Sequence, residues 1–504
     1  MAKLYDLAVI GGGINGCGIA RDAAGRGHQT VLLEQGDLAS ATSSHSTKLI
    51  HGGLRYLEHY EFGLVRKALV EREKLWAIAP HIAWPLRFVL PHRKGMRPAL
   101  LLRLGLWLYD HLGGRQRLAA TKTRWRRFDP LFAALESHLS IGFEYSDLWV
   151  EDARLVVLNA MAAAQYGADI LTRHRVTALY REGGHWRIEG IHGEQSFTLR
   201  ARCLVNAAGP WADQLSGAQD LLPQGTKLRL VRGSHIVVPR LYEDERCFIL
   251  QNDDGRIVFV IPYEHDFSLI GTTDVDHQGS PAHAQASGEE IRYLCAAVNR
   301  QLVKQITPQD VVWTYSGVRP LLDDGSTAAQ EATRDYKLVR SDSADGPALL
   351  SVIGGKLTTY RVLAEEVMGL LADVLEHKRG AFTASEPLPG GDFPVTGFEA
   401  LCADLSAAHP HLPKALLRRA ARAYGTKAKD WLGTAQTMDE LGLNFGADLT
   451  QAEVDYLCRV EFAATADDIV WRRSKRGLRM SRAQINALQA YLDKAEQAPN
   501  QVTV

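Results

Sequence analysis

The first apolar residues form a near-continuous run from Leu4 to Ile10, as expected of a strand buried on both faces. Gly11-Gly12-Gly13-Ile14-Asn15-Gly16 follows, and Ile19, Ala20, Ala23 and Ala24 then recur at helical spacing. A second run, Thr30-Val31-Leu32-Leu33, closes on Glu34. Strand, glycine turn, helix, parallel strand and terminal acid together predict a βαβ unit. Residues 59–79 carry Leu64, Ala68, Leu69, Leu75 and Trp76 at helical spacing and predict an amphipathic helix, after which Pro80, Pro85 and Pro91 break the pattern.

Gly142 to Asp152 ends a predicted strand, Ala153 to Tyr166 a helix, and residues 168–172 and 175–177 return to strand. Residues 186–189 and 196–199 predict a hairpin, and Ala201–Asn206 a further strand that ends in the small-residue turn Ala207-Ala208-Gly209-Pro210-Trp211. From Leu228 to Arg319 the pattern is largely β, an antiparallel sheet with one helix near Ser287–Gln305 on a face. Ala348–Ile353 returns to the parallel sheet, and Gly354-Gly355-Lys356 opens a helix through a second glycine turn. The stretch 384–397, rich in Pro and Gly, reads as a linker to short amphipathic helices with Arg-rich faces.

These elements predict an α/β protein in four parts. Residues 1–85, 142–215 and 345–385 make a discontinuous Rossmann-like, dinucleotide-binding domain. Residues 86–141 are a basic, amphipathic segment, residues 216–344 an inserted antiparallel β substrate domain, and residues 386–504 a helical C-terminal domain.

In the first unit, Gly11 permits the tight turn, Gly13 lets a pyrophosphate approach the backbone, and Gly16 lets the helix pack on the sheet. The helix N-terminus offers N–H groups and partial positive charge to phosphates, with Ile14 and Asn15 at its start. Glu34 lies 18 residues after Gly16, close to the ~20 expected of a carboxylate holding a ribose hydroxyl. The pattern favours an adenine dinucleotide and leaves FAD and NAD open. Downstream, Gln35, Thr42, Ser43, Ser44 and Lys48 lie on a hydroxyl-rich loop suited to a phosphate and ribityl chain. Leu49, His51, Gly52 and Gly53 follow, where bare backbone admits something flat. Val176, Ala208, Gly209, Trp211, Gly354, Gly355, Lys356, Leu357 and Thr358 complete the expected cofactor contacts.

A length of 504 residues implies two or three domains. A net charge of zero predicts no acidic partner overall, and six scattered cysteines without a CxxC pair argue against a disulfide framework, a zinc site or a redox dithiol. The chain opens directly into its first strand and has no apolar run of about 18 residues, so neither a signal peptide nor a membrane span is expected. Charge is uneven locally. Residues 87–127 hold eleven Lys or Arg against the single acid Asp110, around the apolar stretch Ala99–Tyr109. That combination suits the interface of an anionic membrane, and no nucleic-acid motif accompanies it.

Two motifs extend the picture. The run Ile10-Gly-Gly-Gly-x-x-Gly16-Cys-Gly18-x-Ala20-x-Asp22-x-x-x-Arg26-Gly27 resembles the first signature of the FAD-dependent, aerobic respiratory glycerol-3-phosphate dehydrogenases. Gly354-Gly355-Lys356-x-x-Thr359-Tyr360-Arg361-x-x-Ala364 resembles their second. Lys48–Leu57, Phe143–Asp147, Arg232–Pro239 and Trp313–Pro320 are similar to other blocks of that family, so the resemblance covers residues 5–375 and, more loosely, the C-terminal helices. It implies an FAD-binding fold of the glutathione-reductase/D-amino-acid-oxidase type and oxidation of sn-glycerol 3-phosphate to dihydroxyacetone phosphate. Electrons would pass to membrane quinone from a peripheral homodimer on the cytoplasmic face of the inner membrane. A soluble oxidase passing electrons to oxygen and a non-catalytic flavin sensor are the competing readings. The basic segment stands against the first and an intact set of site residues against the second.

By this resemblance Arg55, Arg319, Arg334 and Lys356 hold the substrate's phosphate and hydroxyl groups, with Tyr56 beside them and Thr272 offering a hydroxyl. A phosphate dianion suits bidentate guanidinium groups. His235 is the candidate base, because histidine ordinarily titrates near working pH, with Arg319 or water as the alternatives for taking the proton. No metal ligand set is expected.

Overall fold

The computed structural model describes residues 3–54, 60–93, 95–215, 221, 227–323, 335–341 and 346–497. The chain begins β1 (Leu4–Ile10), α1 (Ile14–Gly25), β2 (Thr30–Leu33), β3 (Leu49–Ile50), α2 (Phe62–Ile78), β4 (Ala83–His92) and α3 (Ala99–Leu112). β5 (Lys122–Trp125), β6 (Ile141–Val150), α4 (Asp152–Gln165), β7 (Asp169–Leu171), β8 (His174–Glu182), β9 (His185–His192) and β10 (Gln195–Asn206) follow. Next come β11 (Leu228–Pro239), β12 (Cys247–Gln251), β13 (Ile257–Tyr263), β14 (Phe267–Gly271), β15 (Val275–Asp276), α5 (Gly288–Asn299) and β16 (Trp313–Leu322). β17 (Lys337–Ser341), β18 (Leu349–Ile353) and α6 (Tyr360–Leu370) return the chain to where it started.

The first sheet runs β17-β18-β10-β1-β2-β7, and its four inner pairings, from β18 to β7, are parallel. The continuous apolar runs of β1 and β2 are buried on both faces, with α1 packed between α4 and α6 on one of them. β10 plays two parts. Its first half pairs antiparallel with β9 as a hairpin, and its second half pairs parallel with β1, so the hairpin strand and the strand 201–206 are one element.

The second sheet runs β15-β11-β14-β13-β12-β4-β6-β3, with β16 beside β11 and β5 beside β6. Here the domain division expected from sequence needs correcting. Residues 83–92 and 141–150 pair with each other along their whole length and join the antiparallel sheet, rather than sorting with the cofactor part or the basic segment. An apolar run says that a strand is buried and nothing about which sheet buries it. Nor do Pro85 and Pro91 end the structure. β4 has its second neighbour, β12, only at Phe88 and Val89, so both prolines sit where no ladder donor is required on that side.

The basic segment holds α3, which buries Leu106, Tyr109 and Asp110 while leaving Leu100 80% and Trp107 54% exposed. Much of its charge is already partnered from outside the segment. Arg87 pairs with Glu144 at 2.5 Å, Arg93 with Asp253 at 2.6 Å, and Arg124 also reaches Glu144. No helix among the described residues is long and apolar enough to cross a membrane. Beyond the linker, five helices between Phe398 and Gln497 close a separate apolar core around Leu405, Leu417 and Leu457.

Candidate active site

One cavity of about 350 Å³ runs from the β1–α1 turn across to the second sheet. Its dinucleotide end is made of backbone. Gly11 has φ +111°, and a Cβ there would lie 2.4 Å from the Ala207 carbonyl oxygen. Gly16 does not line the cavity. It sits beneath the turn, where a Cβ would fall 1.8 Å from the Gly11 carbonyl oxygen, and so sets the approach of α1 to the sheet. Gly13, Ile14 and Asn15 line the cavity, and Ser43 Oγ accepts from Ile14 N at 3.0 Å. Glu34 accepts from Gly12 N at 2.6 Å and Gly36 N at 2.7 Å. Burial raises its carboxyl above the ordinary range, against the pull of those two donors.

Gln35, Thr42, Leu49, His51 and Val176 also line the cavity, as do Ala208, Gly209 and Trp211 from the turn after β10. Gly354, Gly355, Leu357 and Thr358 approach from the start of α6, and the Thr358 hydroxyl lies 3.4 Å from both the N and the O of His51. Like Gly16, four further expected contacts do not reach the cavity. Lys48 is fully buried, with Nζ 2.8 Å from both Asp152 carboxylate oxygens and 3.0 Å from the Ser44 carbonyl oxygen. Lys48 and Ser44 therefore brace the loop. Gly52 packs against Leu69 and Tyr109, its N–H donating to the Tyr109 hydroxyl at 2.7 Å, and Gly53, which does not line the cavity, turns the chain at φ +74°.

The opposite end is made of side chains. Thr272, Arg319 and Lys356 line it with Phe259, and Arg319 is ion-paired to Asp274. The guanidinium and the Thr272 hydroxyl lie flat on β11 because residue 233 is glycine, where a Cβ would be 2.7 Å from each. Beneath them Glu290 of α5 accepts from Ser234 Oγ at 2.8 Å, Thr273 Oγ1 at 2.7 Å and Arg232 Nη2 at 2.7 Å. Burial alone would raise that carboxyl, but the donors hold it below its ordinary value. Arg55, Tyr56 and Arg334 lie outside the described residues.

His235 is fully buried and does not line the cavity. Its ring stacks on Tyr315 at 4.7 Å, and Nε2 lies 3.0 Å from Thr47 Oγ1. Burial, with Arg319, Lys48 and His45 nearby, drives its pKa well below the usual histidine value, so the ring is neutral. The imidazoles that do reach the cavity are His45, His51 and His174. His45, Gly233, Asp152, Asp274 and Glu290 were absent from the sequence-based site. Only the runs Gly271-Thr-Thr-Asp274 and Arg232-Gly-Ser-His235 gave a signal for two of them.

Comparison with known proteins decides the family. Residues 6–361 match the FAD dependent oxidoreductase model, and residues 381–498 match the C-terminal domain of alpha-glycerophosphate oxidase. The aerobic glycerol-3-phosphate dehydrogenase of Escherichia coli is 48% identical over 97% of this chain and 97% of its own length. This chain belongs to the FAD-dependent glycerol-3-phosphate dehydrogenase family. The D-erythritol 1-phosphate dehydrogenase of Brucella abortus is also similar, 47% identical over 97% of this chain and 98% of its own length. The glycerol-3-phosphate dehydrogenase from Bacillus halodurans, solved with FAD, superposes with a TM-score of 0.74 at 27% identity over 98% of this chain and 94% of that one. FAD is the cofactor of this family, and the residues present fit it. Bare glycine backbone lines the turn where a pyrophosphate would come close, and Glu34 lines the cavity at the end of β2, where a ribose-holding carboxylate would be needed.

Proposed function

We propose that this protein oxidises sn-glycerol 3-phosphate to dihydroxyacetone phosphate and passes the electrons to a membrane quinone. The observation that carries the reading is a single cavity joining dinucleotide-binding backbone to Arg319, Lys356, Thr272 and His51. Bound FAD supplies the acceptor for the hydride on C2. The chain's own residues must hold the phosphate, orient the alcohol and remove its proton. Arg319, oriented by Asp274, and Lys356 offer cationic donors for the dianion. Thr272 offers a hydroxyl to the substrate. His51 reaches the cavity and takes the hydroxyl proton, while His235, neutral and stacked behind the wall, supports Tyr315 and Thr47.

Quinone resides in the bilayer, and α3 offers a way to reach it. Leu100, Leu104 and Trp107 are exposed on that helix, and Trp125 and Phe128 are exposed beside it, where Arg103 bonds Thr123 of β5 at 2.9 Å. This surface would enter the headgroup region of an anionic membrane on the cytoplasmic side without spanning it. The D-erythritol 1-phosphate dehydrogenase among the relatives favours a second reading, a longer polyol phosphate in the same cavity. An anaerobic absorbance spectrum before and after each substrate tests both. Bleaching of the flavin bands by sn-glycerol 3-phosphate at lower concentration than by D-erythritol 1-phosphate, reversed by a short-chain quinone, is expected. The opposite preference selects the second reading, and no bleaching by either overturns both.

A further inference from the structure

Among the described residues the C-terminal domain contributes none to the cavity lining, yet it reaches the wall on which Glu34 stands. Asp37, buried at the end of that wall, accepts from Arg473 Nη1 at 2.7 Å and Nη2 at 2.8 Å, and from Arg472 Nε at 2.5 Å. The Arg473 guanidinium is fully buried and also donates to the Glu461 carbonyl oxygen at 2.8 Å. Arg472 continues to Asp468, whose other oxygen takes Arg173, and Ala464 N and Thr465 N fix the Asp468 carboxylate at 2.8 and 2.9 Å. Arg173 closes the circuit, because its backbone N–H donates to the Gly36 carbonyl oxygen at 2.9 Å and the next N–H, of His174, donates to Glu34 O at 2.8 Å. Three arginines and two acids thus tie one C-terminal segment to both strips of chain, 34–42 and 174–176, that border the adenosine end of the cavity.

Charge supplies a reason for the arrangement. Asp37 stands close enough to Glu34 to make its ionisation harder, and two guanidinium groups neutralise Asp37 without approaching the cavity themselves. A buried carboxylate left unpaired there would repel the Glu34 charge that a ribose hydroxyl needs. We propose that Arg473 and Arg472 are positioning residues of the dinucleotide site, so that the C-terminal domain holds the adenosine half of FAD in place through Asp37. The proposal rests on FAD being the cofactor.

The test compares FAD with FMN, which lacks the adenosine half, on the full-length apoprotein by flavin fluorescence titration. For Arg473→Met the dissociation constant for FAD is expected to rise at least tenfold while that for FMN stays within about twofold, so that FAD loses its advantage. A purely structural role would weaken both flavins together. Arg472→Met, which removes the other guanidinium partner of Asp37, carries the same comparison should Arg473→Met fail to fold. Arg418→Gln, which removes an exposed pair with Glu399 in the same domain, serves as the control and should match the wild type. Equal losses for both flavins, or no loss in either variant, would overturn the proposal. A wild-type chain that binds no FAD would instead overturn the cofactor reading.

Discussion

The two ends of the cavity are built from different parts of the chain. At the dinucleotide end the contacts, Glu34 apart, are mostly backbone, and other side chains nearby face away to brace it, as Lys48 does with Asp152 and Asp37 with Arg473. At the substrate end the contacts are side chains carried on β16, just beyond β14 and before α6, and it is the backbone that makes room, as Gly233 does beneath Arg319 and Thr272. Apart from the Glu34 carboxylate, such a backbone site has no functional group to delete and fails by obstruction. A side-chain site fails by loss of a group, and its failure need not touch cofactor binding. The two ends should therefore separate cleanly under mutation, into variants that lose flavin and variants that keep it and turn over slowly.

The largest effect belongs to the first class. In Gly16→Ala the new methyl carbon would lie 1.8 Å from the Gly11 carbonyl oxygen, a rigid atom on the far side of the turn. Helix α1 must back away from the sheet, opening the turn that FAD needs. Purified Gly16→Ala is expected to carry less than about a tenth of the wild-type flavin, read as the ratio of flavin to protein absorbance. A fully yellow variant would show that this end tolerates displacement and would remove the basis of the comparison.

Next comes the pair of histidines at the other end. His51→Gln should keep its flavin and slow flavin bleaching by substrate about 10²- to 10⁴-fold, the span of a lost general base. His235→Gln removes a neutral, buried ring stacked on Tyr315, so its cost should fall on the melting temperature, with bleaching slowed less than about tenfold. Anaerobic stopped-flow on both variants ranks them. Equal slowing would mean that burial does not exclude His235 from the chemistry.

Gly233→Ala tests the same end more gently. Its Cβ would stand 2.7 Å from Arg319 Nη2 and Thr272 Oγ1, both of them ends of side chains that can shift. Displacing one charge-assisted contact to phosphate costs about 1.4 kcal/mol or somewhat more, so the half-saturating substrate concentration should rise roughly tenfold with flavin content unchanged. Flavin loss here would mean that the two ends are mechanically coupled.

The same division explains what the sequence shows. A site made of backbone leaves its record in consecutive glycines, because the turn, the close approach and the helix contact each demand one. Gly11, Gly13, Gly16 and Glu34 could thus be placed from spacing alone. The parallel pairing of β1 with β2 was legible for a related reason, since a βαβ crossover has one common geometry. A site made of side chains on antiparallel strands leaves no local record. Arg319 and Thr272 meet only through the pairing of β11 with both β14 and β16, and Asp274 and Glu290 join them from a loop and a helix. The family motif identified Arg319 and Lys356, but it could not tell that His235 lies behind the wall, because one residue of strand register decides which face a side chain takes. The allegiance of β4 and β6 to the second sheet was hidden in the same way.

The smallest predicted effect lies where the substrate end meets α3. On its buried side α3 carries Tyr109, whose hydroxyl accepts the Gly52 N–H at 2.7 Å and donates to Asp147 at 2.9 Å, one residue along the chain from His51. Tyr109→Phe leaves the ring in its packing and orphans one buried donor while taking a donor from a buried carboxylate, a cost of about 1–3 kcal/mol. The pH dependence identifies the source. Asp147 is pushed up to about 6, by burial first, with Arg72, Tyr109 and the Gly52 N–H pulling the other way. Because its value in the fold lies above the ordinary 3.8, Asp147 contributes stability that is present below that value and lost as pH rises through about 6. Without the Tyr109 donor the carboxyl rises further, so the ionised form costs the variant more than the wild type. The gap between their melting temperatures should therefore widen between about pH 5 and about pH 7.5, with turnover reduced only a few-fold. A gap that is constant with pH would assign the loss to the Gly52 N–H alone. In that case α3 meets the site through its backbone, and the division between the two ends would not hold at this junction.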